Sequence, residues 1–78
     1  MTNKRELNIS LLDWEVRYIL ESVSREMLRL KSVTEESDNE DEAADAGNDY
    51  LEIAGFKERL ETEAKNVFGD KIVSYHGK

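Results

Sequence analysis

From Leu12 onward the apolar residues fall at Leu12, Val16, Leu20, Val23, Met27 and Leu30, in steps of 4, 4, 3, 4 and 3. A helix brings such spacing to one face, and the same spacing is that of a coiled-coil seam. Ile19 broadens the stripe. Ser10 reads as an N-cap with the acidic Asp13 in the first turn, and Arg25, Arg29 and Lys31 lie toward the far end, where the helix dipole favours cations. A helix is predicted from about 11 to about 32.

A second run, Ala43, Ala46, Tyr50, Ile53, Phe56, Leu60, Ala64 and Val67, has steps of 3, 4, 3, 3, 4, 4 and 3. It marks another amphipathic helix. Ser37 with Glu40 reads as a capping box, and Gly69 stands where a left-handed C-cap is expected. The second helix is therefore predicted from about 38 to about 68. Gly47 and Gly55 lie inside it, each costing roughly 1 kcal/mol against Ala, and imply a close crossing by a neighbouring helix. The alternative is a helix that starts only near Asn48, with 34–47 as an acidic loop.

The expected fold class is all-α: a two-helix antiparallel hairpin forming one small domain over 1–78. Its open end would bring RELNI (5–9) beside KIVSY (71–75), which could pair as two short strands; otherwise 70–78 is a tail. A chain of 78 residues buries only about 60% of its unfolded surface and needs some further support. With no Cys and no Pro, disulfides and thiolate metal sites are out, long helices are favoured, and a reducing, cytoplasmic home is expected. Self-association is the remaining support. Trp14, Tyr18 and Leu28 lie off the main stripe, so helix one has more apolar surface than one partner helix covers. A homodimer forming a four-helix bundle is expected, with a seam of Leu12, Val16, Leu20, Val23, Met27, Leu30, Tyr50, Ile53, Phe56 and Leu60.

The net charge of −7 sits in one place. Residues 32–56 carry nine acids and no base, whereas the segments on either side are each close to neutral. Direct binding to nucleic acid or to an anionic membrane would need the opposite sign. The most apolar stretch, ISLLDWEVRYIL, contains Asp13, Glu15 and Arg17, which excludes a membrane span. The start, MTNKRELNIS, has charges but no apolar run behind them, so no secretory signal is read there.

The acidic run invites a calcium-binding reading. With Asp41 at position 1 of an EF-hand loop, Asp45 and Glu52 fall correctly at positions 5 and 12, but Ala43 and Ala46 occupy positions 3 and 6. The match fails. The single His, His76, has no Glu-x-x-His companion for a di-iron bundle, and no phosphate loop or nucleophile motif occurs. No cofactor, metal or catalytic residue is assigned, and a non-enzyme is expected.

In a helix, Asp38, Glu42, Asp45, Asp49 and Glu52 recur at steps of 4, 3, 4 and 3. They would form a negative ridge about 21 Å long, widened by Asp41. Like charges at this spacing weaken a helix slightly. The functional expectation is a non-catalytic interaction module, a homodimer binding a basic protein partner through Asp38, Asp41, Glu42, Asp45, Asp49 and Glu52. Two alternatives stand beside it. One is a nucleic-acid-mimicking inhibitor of a DNA- or RNA-binding protein, of the small acidic type that phages encode. The other is a structural dimer with a solubilising acidic segment.

Overall fold

A computed structural model describes residues 5–73. It contains two α-helices packed against each other, α1 (Asp13–Glu36) and α2 (Glu40–Phe68), followed by a short 3₁₀ turn (Asp70–Val73). The all-helical hairpin matches the periodicity. No strand occurs among the described residues.

Cap chemistry moves the helix ends away from their expected places. α1 begins at Asp13, because the Leu12 N–H donates to Glu15 Oε1 at 2.7 Å. The N-cap is Leu12 and not Ser10, and the carboxylate three residues on reaches back to its backbone N–H. The helix runs past residue 32 to Glu36, with the Thr34 hydroxyl bonded to the Leu30 carbonyl at 2.9 Å. Its last turn consequently holds no basic residue, and Arg25, Arg29 and Lys31 lie further back. The chain then leaves the helix at Ser37, whose N–H still donates to the Val33 carbonyl at 3.0 Å.

The 34–47 segment is helix on both sides of a tight turn over 37–39, so the acidic-loop alternative is set aside. Asn39, not Ser37, caps α2: its Oδ1 accepts from the Glu42 N–H at 3.1 Å. Ser37 organises the turn instead. Its Oγ accepts from the Asn39 N–H at 3.1 Å and donates to Glu42 Oε1 at 2.7 Å. At the other end Gly69 ends α2 as its position predicted, with φ of 89° and its N–H bonded to the Lys65 carbonyl at 2.9 Å. Such a φ suits only glycine without strain.

Beyond Gly69 the expectation of a strand fails. Residues 71–73 belong to the 3₁₀ turn, 5–9 are exposed and have no regular secondary structure, and 74–75 lie outside the described residues. Gly69 turns the chain back onto the hairpin, and Ile72, 1% exposed, drops into the core. Apolar burial here outweighs a two-stranded ribbon that would have had little else to pack on.

The core is therefore built mainly at the open end. Val16, Leu20, Ala64 and Ile72 are buried together, with Leu11, Leu60 and Val73 around them. Near the turn only Leu30 and Ala46 are buried. The glycines do not mark a close crossing. A Cβ on Gly55 would meet nothing within 4 Å, and one on Gly47 would touch the Thr34 side chain at an ordinary 3.8 Å.

Candidate interaction surface

The first turn of α2 collects Glu40, Asp41 and Glu42. There the unpaired N–H groups and the helix dipole favour negative charge. Asp45, Asp49 and Glu52 follow on the same flank. Asp38, Asp41, Glu42, Asp45, Asp49 and Glu52 are all exposed. Asp38, however, belongs to the turn and not to a helix. The continuous helical row is Glu42, Asp45, Asp49 and Glu52, about 15 Å long at 1.5 Å per residue, shorter than the sequence suggested.

No ion pair reaches this row among the described residues. Arg29–Glu26 at 2.6 Å and Lys57–Glu61 at 3.6 Å both form away from it. α1 nevertheless contributes one cation at the border. Arg29, Leu30 and Val33 line a shallow groove together with Glu42, Asp45, Ala46 and Asp49. Arg29 is held there by a two-point contact with Glu26, Nε to Oε1 at 3.0 Å and Nη2 to Oε2 at 2.6 Å. That hydrogen bond, followed by the charge interaction between the two and a smaller one from Asp49, raises the guanidinium above its ordinary pKa. The same hydrogen bond lowers the Glu26 carboxyl. The Arg29 border was readable in principle: a turn at 37–39 places residues near 29 opposite residues near 48.

The seam residues divide in three. Val16, Leu20 and Leu30 are buried between α1 and the rest of the chain, and Val23, Met27, Tyr50, Ile53 and Leu60 are half-buried. Leu12 and Phe56 are exposed. Phe56 turns off the α1-facing side and carries Arg59, whose guanidinium stands 5.9 Å from the ring centroid. Most of this seam is thus spent inside a single hairpin.

A second apolar surface remains uncovered. Trp14, Tyr18 and Leu28 keep 61%, 64% and 70% of their surface exposed. At 3.6 residues per turn they lie on the side of α1 roughly opposite Val16, Leu20 and Leu30, which face α2.

No polar or charged side chain is buried among the described residues. No three His, Asp or Glu side chains among them converge as a metal cage would require. His76 lies outside the described residues. No helix among the described residues is long and apolar enough to cross a membrane. The chain matches no family model, no curated protein and no solved structure.

Proposed function

We propose that the chain is a non-catalytic protein-interaction module that self-associates and presents the acidic flank of α2 to a basic protein partner. The observation that supports this reading is the row Glu42, Asp45, Asp49 and Glu52: four exposed carboxylates on one helix, none of them in a salt bridge with another described residue. A purely solubilising segment has no need of a helical row, because dispersed charge serves as well. A helical row has a fixed direction and spacing, which steer encounter and set the orientation of a cationic surface. The flank ends at Arg29, which would repel a basic partner that slid toward α1. Self-association is supported by the apolar face of α1 that the hairpin leaves open.

The test is an affinity pull-down from the native host's lysate. One bait is the intact protein and the other carries Asp38→Asn, Glu42→Gln, Asp45→Asn and Asp49→Asn, each washed at low and high salt. The expected result is a basic protein retained only by the intact bait and released by salt. If both baits retain the same proteins, or neither retains any, the ridge is not a binding surface. Displacement of the captured protein by duplex DNA would identify the ridge as a nucleic-acid mimic.

A further inference from the structure

On the outer side of α1, two charged residues stand among the exposed apolar ones. Read along the helix the stripe is Trp14, Tyr18, Glu21, Arg25 and Leu28, in steps of 4, 3, 4 and 3. These are alternating a and d positions of a heptad repeat. Glu21 makes no ion pair with any described residue, and Arg25 reaches only Ser22 Oγ, at 3.5 Å. An acid and a base therefore share the middle of an apolar seam, each without an ion-pair partner among the described residues.

From this order we infer that a second copy of the chain covers the stripe, packed antiparallel about a two-fold axis level with Val23. Antiparallel helices match a positions with d positions. In this register Tyr18 meets Leu28 of the second copy and Glu21 meets Arg25 of the second copy, and symmetry repeats each contact. Trp14 falls opposite Ser32 of the second copy, whose hydroxyl can accept the indole N–H. A parallel pair at the same level would set Glu21 against Glu21 and Arg25 against Arg25. The two charges thus select the orientation, as polar residues placed in coiled-coil seams do.

The contact is small. Trp14 and Tyr18, 61% and 64% exposed, leave roughly 250 Å² uncovered, taking about 200 Å² for each aromatic side chain. Leu28 and flanking atoms add to this, but the total per copy stays below the about 800 Å² of a standard interface. Association in the micromolar range is expected. The dimer is then a flat row, α2–α1–α1–α2, with the acidic flanks of α2 on its two outer helices. This interface rests on the self-association proposed above and specifies which residues carry it.

Sedimentation equilibrium on the full chain across the micromolar range tests it. Glu21→Arg places Arg against Arg, and Arg25→Glu places Glu against Glu. Each variant alone should dimerise at least about ten-fold more weakly, equivalent to about 1.4 kcal/mol. An equimolar mixture of the two variants should recover wild-type association, because every facing pair is again opposite in sign. The double variant E21R/R25E should recover it also. Circular dichroism on each variant checks that the helices persist, and the mixture guards against effects confined to one chain. A mixture that stays monomeric, or single variants that dimerise like wild type, would overturn this interface while leaving self-association standing. A wild-type chain monomeric across the range would remove self-association itself, leaving the acidic flank to its separate pull-down.

Discussion

Leu20 is wholly buried and Ile72 nearly so, and the two meet across the open end of the hairpin. Truncating either to Ala removes methylenes and leaves a cavity, at a cost of about 2–5 kcal/mol, a large share of what so small a domain has. Thermal unfolding followed by circular dichroism should show a large drop in Tm for Leu20→Ala and Ile72→Ala alike. The same change at the exposed Leu51 should leave Tm nearly where it was. Gly55 works in the opposite direction. Its position is helical and open on the side where a Cβ would stand, so Gly55→Ala should stabilise by up to about 1 kcal/mol. Glu26 supplies a pH test. Its carboxyl is held below the ordinary range, chiefly by the Arg29 hydrogen bond. The stability this contributes is present above the ordinary carboxylate range and disappears as pH falls through the lowered value. Glu26→Gln should therefore flatten the acid limb of a stability–pH profile, and an unchanged limb would mean that the pair does nothing.

Among the elements, α2 has a strong start and a strained early course. Asn39 caps it, and Asn39→Ala should cost about 1 kcal/mol, measured by chemical denaturation. Past the first turn the dipole no longer compensates the acids, and Asp41, Asp45 and Asp49 repel each other at four-residue spacing. Asp45→Asn should raise stability by a few tenths of a kcal/mol. The two helices were legible because apolar steps of three and four over several turns admit no other element. Their ends were less so. Ser37 and Asn39 are equally good capping residues two positions apart, and only the closing of the turn decides between them. Likewise Glu15 caps α1 by reaching backward, a role that Ser10 conceals when the sequence is read forward. Ile72 was misplaced for a different reason. A short run such as KIV alternates well enough for a strand, and its actual burial depends on the direction in which Gly69 sends the chain. The acidic row was legible as a row; the turn at 37–39 also sets residues near 29 opposite residues near 48, but that the Arg29 side chain faces the row follows from the rotation of α1 against α2, a tertiary property.

The molecule as a whole is a single helical layer. Its radius of gyration is 14.7 Å, against about 11.5 Å for a compact domain of this length. A layer has one interior seam and two broad outer faces, and little hydrophobic burial offsets the charge it carries. Raising ionic strength toward physiological values should accordingly raise Tm, since screening relieves the repulsion among the nine acids of residues 32–56. A Tm insensitive to salt would mean that this repulsion persists in the unfolded chain.

The uneven core has a consequence for motion. Val16, Leu20, Ala64 and Ile72 secure the open end, whereas the turn end rests on Leu30 and Ala46. Local opening follows the thinnest packing, so backbone amides around 28–50 should exchange with deuterium faster than those around 16–23 and 58–66. The acidic row thus lies on the half of the hairpin that breathes first. Any cation that docks on it would close that half and suppress its exchange, so the arrival of a partner would be legible in amide protection at the turn, well away from the core.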